Sequence, residues 1–314
     1  MYFSHRTRLC SAILLATIVS LTVIEAALAA ESLEAVGNLG SESSKHSAER
    51  REIEKLLNQI ESEWNAHNLE AVMTHYADDY VNNDGLNKES VEKLTKDFWA
   101  TYPNARSTSI TREIRIEGPF VTVESKDRAS GTTVKEMPGI GTKGELSSIA
   151  EGQLYMKKIG NHWRIIGDRI DYEKVRVAFG LARELQAEFS APEQVQTGSE
   201  YSARLDLELP AGLTAVCSIT NQPLEYPQHQ PDDKWRPMDG STLERLMAPN
   251  TGNRNELLMA TVGVTNAARN SLMGLAFLTR RINVIPKMYS SSPAKEQSGE
   301  SEESAEGDQD GDKE

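Results

Sequence analysis

The sequence predicts an α+β fold that is followed by a small all-β sandwich and a disordered acidic tail. Apolar residues recur at helical spacing from Ile53 to Trp99, and the pattern changes to the alternation of strands near Ser107. After Pro192 the strand signals continue without helical ones, as in a β-sandwich. From residue 287 onward three Lys stand against nine Asp or Glu and apolar residues are few, which predicts disorder.

The length of 314 residues leaves room for two ordinary domains, and shifts in composition place their boundaries. Basic residues precede the apolar run Ala12–Ile24, and Ala27-Leu28-Ala29 offers small residues for cleavage, which is typical of a secretory signal. We therefore predict a secreted or periplasmic protein that has no membrane attachment once the signal is removed. The predicted segments are a signal peptide (1–29), a flexible lead (30–46), a first domain (47–177), a connector (178–192), a β-sandwich (193–286) and a tail (287–314).

Charge and cysteine content argue against several classes of function. The formal net charge is −13, and nucleic-acid binding requires a concentrated basic surface, which this sequence lacks. Removal of the signal takes away Cys10 and leaves Cys217 alone, so no disulfide is expected within the chain. Cys217 lies in a predicted strand, where it is either a small buried apolar residue, which we favour, or a reactive thiol.

Three helices are predicted before the first strand. The first begins at Ser47 and carries an apolar face at helical spacing. The second follows Asn68, whose side chain can accept a hydrogen bond from the free N–H groups of the first turn, and it should stop at the turn-forming residues from Asp78 onward. The third follows the Asn87 cap and ends before Pro103.

The strand pattern after the helices predicts two β-hairpins in the first domain. The first pairs Thr108–Glu117 with Phe120–Lys126 about Gly118-Pro119, and the second pairs 146–159 with 162–171 about Gly160-Asn161. Residues 130–144 contain several Gly, which predicts either a long loop or a splayed hairpin tip. A helical connector is predicted over Val175–Phe189. The sandwich strands are expected at Tyr201–Leu209, Leu213–Ile219, Leu257–Val264 and Leu272–Ile285.

Two short patterns carry a resemblance to a known family. Residues 64–85 read W-N-A-H-N-L-E-A-V-M-T-H-Y-A-D-D-Y-V-N-N-D-G, and residues 160–166 read G-N-H-W-R-I-I. With the order of elements, they make residues 51–177 similar to the nuclear transport factor 2-like superfamily, which includes scytalone dehydratase, the ketosteroid isomerases and SnoaL-like cyclases. The resemblance implies a curved antiparallel sheet wrapped around three helices as a cone with a pocket. The C-terminal part resembles no family.

The resemblance to the ketosteroid isomerases implies candidate catalytic residues. In those enzymes a carboxylate removes a proton, while a tyrosine and a protonated acid stabilise the oxyanion. The resemblance places the base on Asp84 and the tyrosine on Ile60, which cannot donate a hydrogen bond. Asp84 lies in Asn-Asn-Asp-Gly, where turn formation alone favours Asp, and this is the interpretation we prefer. In a catalytic pocket, Tyr80 or His75 would assist Asp84.

Other polar and aromatic side chains are candidates for the pocket lining, although alternation does not tell which sheet face is concave. These residues are Tyr76, Trp99, Glu151, Tyr155 and Asp168. No metal site and no cofactor are predicted, because the histidines show no pair at ligand spacing and no phosphate loop or dinucleotide motif occurs. The loop Gln222–Met238 carries aromatic residues that either cover a core, which we favour, or stack on a sugar or peptide.

These observations favour an exported, non-catalytic protein whose first domain holds a small apolar ligand or a protein partner. The alternative is an isomerase, dehydratase or cyclase that acts by proton abstraction with Asp84 as the base. A third possibility is a homodimer that associates through the outer face of the sheet. The sequence does not name a ligand.

Overall fold

The computed structural model describes residues 39–228 and 234–287, with side chains from residue 46 onward. The predicted signal peptide, the first part of the predicted lead and nearly all of the acidic tail lie outside the described residues. In the described part the structure is mostly β-sheet with three α-helices, as expected of an α+β fold. The helices are α1 (Leu39–Asn65), α2 (Leu69–Thr74) and α3 (Lys88–Thr101).

The described residues form two open sheets. The strands are β1 (Arg106–Glu117), β2 (Phe120–Glu136), β3 (Lys143–Ile159), β4 (His162–Gly180), β5 (Ala187–Ser190), β6 (Gln194–Gln196), β7 (Tyr201–Leu207), β8 (Leu213–Pro223), β9 (Arg236–Pro237), β10 (Thr242–Met247), β11 (Glu256–Asn266) and β12 (Leu272–Ile285). Nine strands form the larger sheet in the order β1-β2-β3-β4-β12-β11-β8-β9, with β6 paired to β12. The smaller sheet has the order β10-β7-β5.

The helix caps confirm two predicted helix starts. Asn68 accepts a hydrogen bond from the N–H of Ala71 at 3.2 Å, and Asn87 accepts one from the N–H of Ser90 at 2.9 Å. The first helix begins at Leu39, so the predicted helix start at Ser47 is wrong. Polar residues can extend a helix backwards once the apolar face has fixed its position.

Helix α2 ends earlier than the predicted stop near Asp78. Its last residue is Thr74, and Tyr76 then forms an isolated parallel bridge with Ile165 of β4. The N–H of Ile165 donates to the carbonyl of His75 at 2.8 Å, and the N–H of Ala77 donates to the carbonyl of Ile165 at 2.8 Å. The chain leaves the helix early because these bonds to the sheet replace the helical ones.

The predicted helical connector over Val175–Phe189 is wrong. Strand β4 continues through Gly180, a short 3-10 helix follows at Leu181–Arg183, and β5 begins at Ala187. Val175, Val177 and Phe179 alternate with residues that face the opposite side, which is a strand period that the helical interpretation overlooked. The longer β4 pairs with β12 from Lys174 to Gly180, so one sheet continues from the first predicted domain into the second. The predicted domain boundaries themselves stay a prediction.

Two hydrophobic cores lie on opposite faces of this shared sheet. The first core joins the three helices to β1–β4 and includes Leu257 and Phe277 from the C-terminal part. The second core joins the other face to the smaller sheet and includes Leu258 and Ala276. Strand β11 is therefore buried at nearly every position, because side chains on both of its faces meet a layer of protein. Cys217 is fully buried in the second core, as predicted.

Candidate functional site

The inner face of β1–β4, which packs against the helices, carries a line of polar residues. The strand register places Ser109 opposite Asp127, Asp127 opposite Ala150, and Ala150 opposite Glu173. Directly opposed side chains in a sheet lie about 5 Å apart and share a face. These four residues therefore form one row across four strands, which we call the inner row.

A neighbouring row on the same face consists mainly of small residues. It runs through Ser107, Ala129, Ser148 and Val175 to Thr279 of β12, each directly opposite the next. We call it the second row. Its side chains are buried, and most of them are shorter than the Leu and Ile side chains that usually fill a core. The two rows together form a buried surface of mostly short side chains, which also carries the carboxyl groups of the inner row. We call this surface the floor.

Several polar atoms on this floor have no hydrogen-bond partner within residues 39–228 and 234–287. They include Oδ1 of Asp127 and both carboxyl oxygens of Glu173, in side chains that are 1% exposed. The hydroxyls of Ser148 and Thr279 are in the same situation in the second row. A buried polar group without a partner costs about 1–3 kcal/mol, so native proteins keep few of them outside functional sites.

Burial changes the acidity of the inner-row carboxyl groups. Loss of contact with water raises the pKa of Asp127 to about 7, while the hydroxyls of Ser109 and Ser125 oppose this change. Burial likewise raises the pKa of Glu173 to about 7, with the charge of Arg281 lowering it and that of Asp84 raising it. Both groups can therefore change their protonation state near neutral pH.

Helix α1 adds another carboxyl group beside the inner row. The Glu61 side chain accepts a hydrogen bond from the backbone N–H of Ser109, and burial raises its pKa to about 7, with the Asp127 charge contributing. Asn65, one turn later, both donates to the carbonyl of Ser107 at 2.9 Å and accepts from its N–H at 2.8 Å. The end of α1 is thus docked along strand β1.

A buried ion pair connects this region to the C-terminal part. Arg281 of β12 faces the first core, and its two terminal nitrogens donate to the oxygens of Asp84 at 2.8 and 2.6 Å. Asn255 donates to the same carboxylate at 2.8 Å. Arg281 also donates to the Asn283 side chain at 2.8 Å, which fixes its orientation. The Arg281 and Asp84 side chains are 0% and 3% exposed, so water does not screen their interaction.

The two candidate tyrosines lie beside Asp168. Tyr80 donates a hydrogen bond to the carboxylate of Asp168, and the rings of Tyr76 and Tyr80 meet edge to face with centroids 4.9 Å apart. Burial raises the pKa of Asp168 to about 6, and the Tyr80 hydroxyl opposes this change. Burial also raises the pKa of both tyrosines far above the usual range, so they act only as hydrogen-bond donors or acceptors near neutral pH.

The structure brings together some of the residues predicted for the site. Tyr80 and Asp168 are in contact, Tyr76 is beside them, and Trp99 lies in the same core, stacked on His67 at 4.8 Å. His75 is instead held by Glu63, with its Nε2 atom 2.7 Å from a carboxylate oxygen.

Two of the predicted lining residues lie on the outer face of the sheet. Glu151 follows the inner-row residue Ala150 and forms ion pairs with Lys126 at 2.8 Å and Arg112 at 2.9 Å. These contacts lower the pKa of Glu151. The Tyr155 hydroxyl donates to Gln153 at 2.9 Å, on the same side as Glu151. Alternation along β3 thus separates these two residues from the inner row.

The sequence analysis missed Asp127, Glu173 and Arg281. Asp127 had a signal, because Val121, Val123, Ser125, Asp127 and Ala129 follow the period of one strand face. A charged residue at an apolar position is more informative than an exposed apolar one. Glu173 had no such signal in the sequence. An irregularity in the β3–β4 pairing near Gly152 shifts the alternation of β4 just before Glu173.

A separate cleft of about 560 Å³ opens where the C-terminal part meets the first domain. Its lining is mainly polar and includes Asn83, Arg169, Asp171, Asn253, Arg254 and Asn283. Several of these groups already bind one another. Arg169, for example, forms an ion pair with Asp171 at 2.8 Å. Asn283 donates to the backbone carbonyl of Asp171 at 2.7 Å.

Among the described residues no helix is long and apolar enough to cross a membrane. Within the same ranges no group of three or more His, Cys, Asp or Glu is arranged to hold a metal ion.

In the loop 222–238, Tyr226 packs on the first core and donates to Asp97 of α3 at 2.8 Å. Tyr226 therefore covers a hydrophobic core, but this is the first core, which contains the helices, and not the second.

Comparisons with known proteins give a limited result. No protein-family model and no curated protein matches the chain. Among solved structures, Bd1075 of Bdellovibrio bacteriovorus is 16% identical with a TM-score of 0.34, covering 40% of this chain and 41% of its own. A putative scytalone dehydratase from Novosphingobium aromaticivorans is 17% identical with a TM-score of 0.33, covering 41% of this chain and 86% of its own. This chain is thus matched to less than half the length of Bd1075, and neither likeness assigns it to a family.

Proposed function

We propose that α1–α3 and β1–β4 form a cone of the nuclear transport factor 2-like kind, whose interior binds a small organic molecule. The observation that carries this proposal is the inner face itself. Asp127 and Glu173 stand there with unused carboxyl oxygens, as far as the described residues reach, and only the small Ala150 lies between them. A bound molecule with hydrogen-bonding groups would offset the cost of burying these atoms.

The buried acids favour a ligand different from the small apolar molecule expected from the sequence. A wholly apolar molecule would leave the carboxyl oxygens of Glu173 and the hydroxyl of Ser148 without partners. Binding pockets are mostly apolar with a few placed polar groups, and the first core together with the inner row has this composition. We therefore expect a ligand that presents polar groups to the floor and an apolar surface to the helices.

Substitution of Ala150 by Leu is expected to abolish ligand binding while the fold is kept. The larger side chain would lie between Asp127 and Glu173 on the floor and would block a molecule from reaching both acids. Thermal shift against a library of small organic molecules, followed by native mass spectrometry of any complex, measures the effect. The matched control is Ser147→Leu, which adds the same side chain at the neighbouring exposed position of β3. Equal binding by wild type and Ala150→Leu would contradict the proposal.

A second candidate function is proton transfer, as in an isomerase, dehydratase or cyclase. It is supported by carboxyl groups whose pKa values lie near neutrality, where a general acid or base is most effective: Asp127 and Glu173 at about 7 and Asp168 at about 6. The chemistry would then belong to the inner row and Asp168. Asp84 is less suited to act as the base, because its carboxylate already accepts hydrogen bonds from Arg281 and Asn255.

Export is part of the proposed function and rests on residues 1–29, which lie outside the described residues. The basic start, the apolar run and the small residues before Ala30 support it. Expression in a host with a matching secretion pathway is expected to yield a mature chain that begins near Ala30. Intact-mass measurement of the secreted protein checks this, and a chain that keeps Met1 would contradict it.

A further inference from the structure

The outer face of the larger sheet, opposite the floor, carries a row of cations. The strand register places Arg128 of β2 opposite Ile149 of β3, Ile149 opposite Lys174 of β4, and Lys174 opposite Arg280 of β12. Each of the four is next in sequence to a residue of the floor or the inner face, so their side chains point to the outer side. We call these four residues the basic row. It holds three positive charges in a chain whose formal net charge is −13.

The cations of the basic row have no acidic partners among residues 39–228 and 234–287. The side chains of Arg128 and Lys174 form neither an ion pair nor a hydrogen bond within these ranges. Arg280 donates from Nη1 to the carbonyl of Phe189 at 3.4 Å and lies over the Tyr172 ring, 5.4 Å from its centroid, while its Nε has no partner. None of these contacts supplies a full negative charge.

The two acids that β3 places on the outer face bind other cations. Glu151, one row away from the basic row, forms ion pairs with Lys126 at 2.8 Å and Arg112 at 2.9 Å. Glu145, two rows away on the other side, forms one with Arg183 at 2.8 Å. Strand β3 crosses the basic row and therefore supplies no unpaired carboxylate to it.

This arrangement of charges favours an anion above the basic row. Lys174 and Arg280 are directly opposed on paired strands, where like charges destabilise a sheet. Both side chains are only partly exposed, so water screens their repulsion less than at an open surface. A carboxylate placed over the row would offset this repulsion, and an arginine can bind it through two parallel hydrogen bonds.

We propose that the basic row binds the acidic tail of the same chain. Nearly all of this tail lies outside the described residues, but its sequence has nine Asp or Glu against three Lys. The run Glu300–Glu306 alone carries four carboxylates in seven residues. The contact lies on the face of the sheet opposite the floor, so it is independent of the proposed function.

The length of the chain permits this contact. The described residues end at Lys287, which lies seven residues after Arg280, or about 23 Å along an extended chain. The thirteen residues from Lys287 to Glu300 span up to about 43 Å, so the acidic run can return to the row. From β2 to β12 the row crosses three strand spacings, about 14 Å, and Glu300–Glu306 covers roughly 20 Å when extended.

Attachment to the same chain favours the tail over a separate anion. Exposed ion pairs are individually weak, so a free acidic peptide would bind the row poorly. A tethered segment has an effective concentration on the order of 1 mM, which makes a weak contact substantially occupied. A separate polyanion would also be repelled by the net charge of −13.

Cross-linking of the full mature chain with a carbodiimide tests the proposal, because this reagent joins a lysine amine to a carboxylate that touches it. We expect mass spectrometry to find peptides that join Lys174 to Glu300–Glu306, and their yield should fall about threefold or more in about 0.5 M salt. The matched control is Lys96 of α3, an exposed lysine on the helical side of the sheet, which should give few such links. The Lys126–Glu151 pair, at 2.8 Å, is the internal positive control.

A variant of the row assigns these links to its charges. Arg128→Gln removes an exposed side chain without partners, so the fold should be kept, and the yield of Lys174 links should fall about threefold. Arg115→Gln removes an exposed cation of β1 outside the row and should leave the yield unchanged. A yield that neither Arg128→Gln nor salt reduces would overturn the role of the basic row.

A mixture of isotope-labelled and unlabelled protein separates the chain's own tail from that of a second copy. Links in which both peptides carry the same label support the proposal. Links that join a labelled Lys174 peptide to an unlabelled tail would overturn the assignment to the same chain and indicate a second copy instead. Absence of Lys174–tail links while Lys126–Glu151 links form would overturn the proposal as a whole.

Discussion

Replacement of Arg281 by Met is expected to lower the free energy of unfolding by about 4 kcal/mol. The substitution keeps an apolar chain of similar length but removes the two hydrogen bonds to Asp84, at 2.8 and 2.6 Å. The Asp84 side chain is 3% exposed, so its charge would remain buried, and within residues 39–228 and 234–287 the Asn255 amide would be its one remaining side-chain partner. Urea unfolding followed by tryptophan fluorescence and circular dichroism measures the loss.

Two controls separate the buried pair from ordinary loss of charge. The double variant Asp84→Asn with Arg281→Met is expected to recover a large part of the stability, because no uncompensated charge then remains. Arg115→Met breaks an exposed pair with Glu113, whose side chains are 46% and 51% exposed, and should cost less than about 1 kcal/mol. A loss in Arg281→Met no larger than that in Arg115→Met would show that the ion pair does not hold the two parts together.

Raising the pH from about 5 to about 8 is expected to lower the free energy of unfolding by roughly 2–3 kcal/mol for each inner-row acid. Asp127 and Glu173 ordinarily lose their protons near pH 4, but the folded protein holds these protons until about pH 7. Between these values the folded state binds more protons than the unfolded state, so stability falls as the pH rises. Below about pH 4 both states are protonated and this penalty is absent.

The inner-row variants test the origin of this pH dependence. Glu173→Gln and Asp127→Asn remove a charge that the folded protein buries, so each is expected to stabilise the protein, and to do so more at about pH 8 than at about pH 5. Chemical denaturation of the wild type and both variants at the two pH values provides the measurement, with Glu200→Gln as the exposed control. A wild-type stability that rises from about pH 5 to about pH 8 would contradict the assignment of buried, unpaired acids.

The local parts of the fold were predictable because their signals lie within a few residues. The caps at Asn68 and Asn87 depend on a side chain that meets N–H groups only three residues away. Strand β12 was predicted at Leu272–Ile285, as found, because a long apolar run between polar loops identifies a buried strand. The early end of α2 was not predictable in this way, because it depends on bonds to β4, far along the chain.

The candidate site required the strand register, which no short pattern reveals. Asp127 and Glu173 are distant in sequence and become neighbours across Ala150 only because β2, β3 and β4 pair in one register. An irregularity in that pairing turns Glu173 inward, and a one-residue shift in alternation exchanges the two faces of a sheet. Glu151 and Tyr155 were chosen as lining candidates because alternation defines two faces of a strand without saying which face is concave.

The sequence by itself determined the α+β class, the order of the helices and most strands, and the turn chemistry around Asp84, because hydrophobic period and local hydrogen bonding act over short distances. Only the tertiary structure decided that β4 pairs with β12 and that Arg281 neutralises Asp84. It also placed Asp127 and Glu173 on one inner face. These contacts join parts of the chain that are far apart, and their energies come from burial and charge in a common core.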